Sequence, residues 1–81
     1  MYYYVYIIVS LKNGKRYVGF TSRSVEERLS EHNVGKNQWS SENKPFKLLY
    51  FEKLTCENCA RLREKFWKSG QGRKISSTFN V

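Results

Sequence analysis

The sequence predicts an α+β fold, in which helices flank a small, mostly antiparallel three-stranded sheet in the order β-β-α-β-α. Residues 2–10 and 16–21 are strand-like, and the segment between them contains Asn-Gly, which readily supplies the positive φ of a hairpin turn. Ser24 and Glu27 then form a capping box, which predicts the start of a helix. Elements of these two kinds bury their apolar faces by packing helices on the sheet.

The first strand is expected to lie at the centre of the sheet. Residues 2–10 are dense in Tyr, Val and Ile, and both faces of the segment are apolar or aromatic. A strand of that kind is usually covered on both sides. The helix after the hairpin is predicted from about Val25 to His32, with Val25 and Leu29 as its buried stripe, and it ends near Gly35.

The second half of the chain predicts one more strand and one more helix. Residues 35–45 are polar and predict a loop, whereas residues 46–53 predict the third strand. A second helix is expected over residues 57–68, and a glycine-rich stretch ends it. We therefore expect a single domain at residues 1–74, followed by a short C-terminal tail at residues 75–81 whose order or disorder the sequence leaves open.

The net charge indicates a polyanionic partner. The 81 residues include 15 Lys and Arg against 7 Asp and Glu, a formal charge of +8. So large an excess favours nucleic acid over an anionic membrane surface, although charge of this kind also serves solubility alone. No apolar run approaches the ~20 residues of a membrane span, and the first residues do not resemble a secretory signal. We expect a cytoplasmic monomer without a small-molecule cofactor.

The two cysteines, Cys56 and Cys59, form one Cys-x-x-Cys motif. A zinc site usually needs a second pair of ligands, and the single histidine, His32, is far away in sequence. A redox motif is typical of a thioredoxin-like βαβ unit, which the sequence does not show. We interpret the pair as small residues at the start of the second helix, with Thr55 or Cys56 as its cap.

Three residues of the hairpin are candidates for one site. Tyr17 stands two residues before Gly19 and therefore on the same face, and Tyr6 lies across the hairpin. A glycine inside a strand often marks a bulge or a close approach of backbone or ligand. Two phenols beside such a glycine would line a hollow, although the pattern alone favours an ordinary cross-strand aromatic pair.

Three helical residues are candidates for the same site. Arg28 lies beside the apolar stripe of the first helix, where it either binds an anion or snorkels outward to pair with a neighbouring glutamate. His32 projects from the same side as Arg28, and a histidine also suits the C-terminal end of a helix dipole. Glu64 lies between two apolar positions of the second helix, where it either pairs with a nearby Lys or Arg or binds a metal ion.

Taken together, these residues resemble the GIY-YIG nuclease domain. Tyr4-Val5-Tyr6 and Tyr17-Val18-Gly19 stand where that family has its two tripeptides, followed in order by Arg28, His32-Asn33 and Glu64. Further segments resemble the small stand-alone members: EHNVG (31–35), PFKLLYFE (45–52), LREK (62–65) and KSGQGR (68–73). The likeness covers about residues 2–74. Two positions depart from the tripeptides, since Tyr4 stands for glycine and Val18 for isoleucine.

The resemblance implies metal-assisted hydrolysis of phosphodiester bonds. The catalytic residues that it implies are Tyr6, Tyr17, Arg28, His32 and Glu64. Tyr6 would be the general base for the attacking water, Tyr17 would orient that water, and Arg28 would stabilise the phosphoryl oxygens. His32 would position the water or accept a proton, and Glu64 would bind Mg²⁺ or Mn²⁺. The residues expected to bind substrate are Gly19, Asn33, Lys15, Lys36 and Arg73.

We therefore expect a metal-dependent endonuclease acting on DNA, directed by DNA structure or of low sequence specificity, because so small a domain leaves little surface for reading bases. The alternative is a weak or inactive nucleic-acid-binding module with the same fold. A third possibility is an interaction protein whose tyrosine-rich face docks a partner. Trp39, in the predicted polar loop, is interpreted as an anchor for the loop and not as a surface for base stacking.

Overall fold

The computed structural model describes residues 1–79, whose core is a three-stranded antiparallel sheet of order β2-β1-β3. The elements in chain order are β1 (Tyr3–Ser10), β2 (Arg16–Thr21), α1 (Val25–Val34), α2 (Gln38–Asn43), β3 (Phe46–Leu54), α3 (Glu57–Lys68) and α4 (Gly70–Ser76). Helices α1 and α2 cover one face of the sheet, and α3 covers the other with α4 packed on it. The predicted α+β class and antiparallel sheet are confirmed.

The central strand β1 divides the core into two halves. Val5 and Ile7 point to the α3 side, whereas Tyr6 and Ile8 point to the α1 side, and all four are at most 1% exposed. Because side chains alternate along a strand, an apolar or aromatic residue at every position buries both faces. The predicted central, doubly covered position of the first strand is confirmed, and β2 and β3 are the edges.

The predicted loop at residues 35–45 is wrong over residues 38–43, which form the short helix α2. The segment has a single large apolar residue, Trp39, so no helical hydrophobic period could reveal it. Asn37 begins the helix by accepting the backbone N–H of Ser40 at 2.8 Å. The Trp39 ring stacks on Phe46 with 5.3 Å between centroids, so Trp39 anchors this segment as interpreted.

The glycine-rich stretch predicted only to end the second helix also begins another, α4. Helix α3 ends at Lys68, as predicted, and Ser69 then caps α4 by accepting the backbone N–H of Gly72. A seven-residue segment with two glycines carries little helix propensity, so its stability comes from this cap and from packing on α3.

The C-terminal segment packs against the fold as far as Phe79. The guanidinium of Arg16 donates to the carbonyl oxygens of Ser76 and Phe79, and the Phe79 ring lies 5.4 Å from that of Tyr50. Packing therefore continues beyond the domain boundary expected at residue 74. Residues 80 and 81 of the predicted tail lie outside the described part of the chain.

A hydrogen-bonded carboxylate fixes helix α3 on the sheet. Glu52 of β3 accepts from Arg63 Nε and Nη2 at 2.9 and 2.6 Å, from Trp67 Nε1 at 3.2 Å and from the Tyr50 hydroxyl at 2.8 Å. The bonds from Arg63 are the main cause that lowers the pKa of Glu52. This bidentate contact sets the rotation of α3 and hence the direction of its other side chains. Within residues 1–79, no helix has the length and apolar character to cross a bilayer.

Candidate active site

Tyr6 lies directly over Gly19 in the hairpin. The two residues are paired across β1 and β2, and a Cβ added to Gly19 would be 2.3 Å from the Tyr6 hydroxyl oxygen. The close approach expected at this glycine therefore exists, but it is made by the Tyr6 phenol. Gly19 was expected to bind substrate, and the Tyr6 phenol occupies the side of Gly19 on which a Cβ would stand.

A hydrogen-bonded chain links three buried polar side chains above the sheet. The Tyr6 hydroxyl lies 3.2 Å from His32 Nε2, and His32 Nδ1 lies 3.0 Å from Ser40 Oγ. His32 is 5% exposed and Ser40 is 1% exposed. The Tyr17 ring completes the cluster, with its centroid 5.2 Å from that of His32 and 6.4 Å from that of Tyr6. The structure thus brings together three of the five expected catalytic residues.

Ser40 belongs to this chain of contacts, and the sequence did not reveal it. Ser40 lies in α2, the helix that lacked a hydrophobic period. Its burial depends on the cap from Asn37 and on the packing of Trp39, neither of which marks a neighbouring serine as special. The one available signal was the pair of Asn37 and Ser40 at the spacing of an N-cap and its acceptor.

Burial lowers the pKa of His32, and the positive charge of Arg28 adds to that effect, while the negative charge of Glu31 opposes it. The imidazole is therefore neutral near pH 7 and has one nitrogen that donates and one that accepts. In the tautomer whose Nδ1 donates to Ser40 Oγ, Nε2 accepts from the Tyr6 hydroxyl. The cluster can hold a proton on Tyr6 and receive it on His32.

The lowered pKa of His32 predicts a loss of stability in mild acid. The unfolded chain has an ordinary histidine pKa of 6.5, above the folded value, so it binds the extra proton first as the pH falls. The His32 contribution to the free energy of unfolding is complete above that value and is lost below it. Between about pH 7.5 and 5.5, thermal unfolding should show a larger fall in Tm for the wild type than for His32→Gln. Parallel curves for the two proteins would contradict the neutral, buried histidine.

Three cations gather around the carboxylate of Glu31 on α1. Arg28 Nη1 lies 2.6 Å and Arg23 Nη2 lies 2.8 Å from Glu31 Oε1, and Lys36 Nζ lies 3.4 Å from Oε2. These contacts, led by the bond from Arg23, hold the pKa of Glu31 at about 2. Arg28 therefore pairs with a neighbouring glutamate, one of the two alternatives for this residue. Lys36, expected to bind substrate, lies in the same cationic group.

Arg28 also acts on the hydroxyl of Tyr6. Burial is the largest effect on the Tyr6 hydroxyl and raises its pKa, while the adjacent Arg28 guanidinium counteracts that rise. The negative charges of Tyr17 and Glu64 add smaller increases. The cation that a tyrosine base requires is present, yet the phenol stays protonated near neutral pH because desolvation outweighs it.

Glu64 belongs to the helix that covers the opposite face of the sheet from Tyr6. It lies on α3 between the buried Ala60 and Trp67, is 23% exposed in its side chain, and pairs with Lys68 at 3.2 Å. The pairing confirms that a basic neighbour satisfies this carboxylate. The negative charge of Glu64 makes a small contribution to the raised pKa of Tyr6.

An open cleft lies at the β2 edge, between β2 and helices α3 and α4. It has a volume of about 660 Å³, and its lining includes Tyr17 from β2, Trp67 and Lys68 from α3, and Arg73 from α4. Lys68, the partner of Glu64, lines this cleft, and of the five expected catalytic residues only Tyr17 is in its lining. Arg73, expected to bind substrate, is an exposed member of this lining.

The remaining two residues expected to bind substrate are placed differently. Asn33 holds the start of β3, since its amide nitrogen donates to the Phe46 carbonyl at 3.3 Å and its amide oxygen accepts the Phe46 N–H at 2.6 Å. Both polar groups of Asn33 are therefore engaged by the main chain of Phe46, and its contact with substrate stays a prediction. Lys15 lies exposed in the hairpin turn, where its backbone N–H donates to Asn13.

Comparison with known proteins indicates the family and the fold of this chain. Residues 2–77 match the GIY-YIG catalytic domain family. A similar solved structure is the solution NMR structure of the UPF0213 protein BH0048 from Bacillus halodurans, with 27% sequence identity, a TM-score of 0.56 and coverage of 99% of this chain and 88% of that chain. Comparison with curated proteins gives no significant match. Since the family match spans nearly the whole chain and every residue of the cluster, this chain belongs to the GIY-YIG catalytic domain family.

Proposed function

We propose that the chain is a divalent-metal-dependent endonuclease that hydrolyses DNA phosphodiester bonds, directed by DNA structure or with little sequence preference. Membership of a catalytic nuclease-type family supports the reaction class. The observation that carries the proposal is the contact of the Tyr6 hydroxyl with a neutral, buried His32 beside the guanidinium of Arg28. This grouping offers a proton acceptor and a phosphate-binding cation at one point.

The proton path runs from water through Tyr6 to His32. The Tyr6 oxygen takes a proton from the attacking water while its own proton passes to Nε2 of His32, 3.2 Å away. Ser40 holds the other ring nitrogen, and the tautomer whose Nδ1 donates to Ser40 Oγ leaves Nε2 free to accept. This coupling resolves the difficulty of a phenol with a raised pKa, because the phenol never has to lose its proton to bulk water.

Arg28 supplies the positive charge for the phosphate. Its guanidinium is planar and has several donors, and the contact with Glu31 uses Nη1. Tyr6 interacts with the same guanidinium, and the donors that Glu31 does not use can stabilise negative charge that develops on the phosphoryl oxygens. Glu31 keeps Arg23 and Lys36 as partners if Arg28 turns toward substrate, so this movement leaves no carboxylate unpaired.

The residues fit a single-carboxylate magnesium site. Among residues 1–79 no group of three or more His, Cys, Asp or Glu side chains is arranged to hold a metal ion. Mg²⁺ keeps several waters and often takes one or two carboxylates together with substrate phosphate, so the half-buried Glu64 is a sufficient protein ligand. A cation bound by Glu64 would polarise the phosphate and stabilise the leaving oxygen. Lys68 must release Glu64, and it is then free to contact the nucleic-acid backbone.

The surface around the site favours backbone contacts. Lys68 and Arg73 line the cleft and Lys36 lies beside Arg28. Contacts of this kind position a nucleic acid and carry no sequence information, which supports cleavage directed by shape. The same charge favours the second candidate function, a module that binds nucleic acid without cutting it.

The test is a nicking assay on branched, single-stranded and duplex DNA with Mg²⁺ or Mn²⁺. We expect metal-dependent cleavage, strongest on one structural class and abolished by a chelator, with binding that weakens steeply as salt rises. Salt-dependent binding without cleavage under every metal condition would instead establish the binding module.

A further inference from the structure

The two cysteines form a pair of thiols at the start of α3, outside the candidate active site. Cys56 is the N-cap of the helix and is half-buried, and Cys59, in the first turn, is exposed. Neither is joined in a disulfide in this structure. The spacing places both sulfur atoms over the first turn of the helix, where solvent reaches Cys59 directly.

The contacts between the two residues set them apart from small residues that merely begin a helix. Cys56 Sγ accepts the backbone N–H of Cys59 at 3.2 Å. A neutral thiol is a poor acceptor at a position that usually holds Ser, Thr, Asp or Asn. A thiolate accepts this bond strongly and is attracted by the positive end of the helix dipole. The geometry therefore favours the ionised form of Cys56.

Cys56 and Cys59 are less suited to binding a metal ion. A structural zinc site takes four ligands, whereas no third His, Cys, Asp or Glu joins the two thiols within residues 1–79. The nearest carboxylate in sequence, Glu57, pairs with Arg61 at 3.2 Å. Two thiols that share one helical turn, with Cys56 Sγ bonded to the backbone N–H of Cys59, suit reaction with each other without further ligands.

We propose that Cys56 and Cys59 form a reversible dithiol–disulfide site that exchanges with low-molecular-weight disulfides. The Cys56 thiolate attacks one sulfur of the disulfide, whose S–S bond breaks and releases one thiolate while a mixed disulfide forms on Cys56. Cys59 then loses its proton to the released thiolate and attacks the Cys56 sulfur, which closes the Cys56–Cys59 bond and releases the second thiol. The two cysteines lose two electrons in total, and the small disulfide gains them.

The acid–base properties of the pair agree with these two roles. The bond from the Cys59 side chain is the main cause that lowers the pKa of Cys56, and the backbone N–H of Cys59 adds to it. The same contact raises the pKa of Cys59. Once Cys56 carries a mixed disulfide its negative charge is gone, so the obstacle to ionising Cys59 is removed at the step where Cys59 must attack.

The experiment treats the reduced full-length protein with glutathione disulfide and follows it by mass spectrometry. The wild type should lose two hydrogens without keeping glutathione, and a thiol reductant should reverse the change. Cys59→Ser should stop at one glutathione adduct on residue 56. Cys56→Ser should react slowly, because the exposed thiol that remains has an ordinary or raised pKa. Serine is itself a favoured N-cap, so Cys56→Ser keeps the helix start and serves as the matched control.

A direct comparison of the thiols completes the test. Brief alkylation with iodoacetamide at pH 7, followed by peptide mapping, should label Cys56 about 10-fold faster than Cys59. Equal labelling, or a wild type that accumulates glutathione adducts without closing the internal disulfide, would overturn the proposal. None of these outcomes depends on whether the protein cleaves DNA.

Discussion

Replacing Arg28 with alanine is expected to slow DNA cleavage by about 10²–10³-fold, the loss typical when one preorganised donor to a developing negative charge is removed. The Tm should change little, because Glu31 retains Arg23 and Lys36 and the Arg28 side chain is 29% exposed. The effect should appear mainly in kcat, since the proposed interaction strengthens in the transition state. Steady-state cleavage and thermal unfolding of the same preparation measure both quantities.

Arg23→Ala is the matched control for this prediction. Arg23 pairs with the same oxygen of Glu31 but is 51% exposed, and Arg28 rather than Arg23 acts on the Tyr6 hydroxyl. We expect Arg23→Ala to keep its cleavage rate within a few-fold of the wild type. An equal loss of cleavage rate in the two variants would show that the effect comes from the positive charge of the surface in general. A collapse of Tm in Arg28→Ala would show that Arg28 has a structural role.

Gly19→Ala should damage both the fold and the site. The new methyl group would lie 2.3 Å from the Tyr6 hydroxyl oxygen and 2.4 Å from the ring carbon that carries it, so the phenol must move. Overpacking of this kind costs about 1–3 kcal/mol in the free energy of unfolding. Displacement of Tyr6 also breaks its contact with His32 Nε2, so we expect cleavage to fall more than stability explains. Chemical denaturation and cleavage assays give the two losses separately.

Gly70→Ala serves as the control for this substitution. No atom of the described chain lies within 4 Å of a Cβ added at Gly70, which is the first residue of α4. Alanine there should be neutral or stabilise the protein by up to about 1 kcal/mol, because it reduces the entropy of the unfolded chain. If Gly19→Ala proved as harmless as Gly70→Ala, the packing of Tyr6 over the hairpin would be contradicted.

The sequence predicted the elements whose residues repeat with a clear period. Strand β1 has strand formers at nearly every position, and α3 has caps and an apolar face, so its bounds at Glu57 and Lys68 were predicted correctly. Helices α2 and α4 were missed because they are six and seven residues long and are stabilised by caps and tertiary contacts rather than by a period. Fold class therefore followed from pattern, while the short helices depended on packing.

In the candidate site, too, some residues could be predicted from the sequence and others could not. Tyr6, Tyr17, Arg28, His32 and Glu64 could be selected from the sequence because a family resemblance ordered them. The partners that tune them could not, since the contact of Ser40 with His32 and the convergence of Arg23 and Lys36 on Glu31 are tertiary. The sequence also could not show which group lies against Gly19, because the space left by a missing side chain accepts a neighbouring phenol as readily as a substrate.

The most direct measurement of the central claim is the metal-dependent cleavage rate of Glu64→Gln beside that of Glu57→Gln. Both substitutions remove one negative charge from α3 and an i,i+4 ion pair, with Lys68 or Arg61 respectively, but Glu57 lies at the far end of the helix. If Glu64 is the single catalytic carboxylate, the cleavage rate of Glu64→Gln should be at least about 10²-fold below that of the wild type. The Glu57→Gln variant should cleave DNA at the wild-type rate. Equal rates in the two variants, with the metal requirement unchanged, would contradict it.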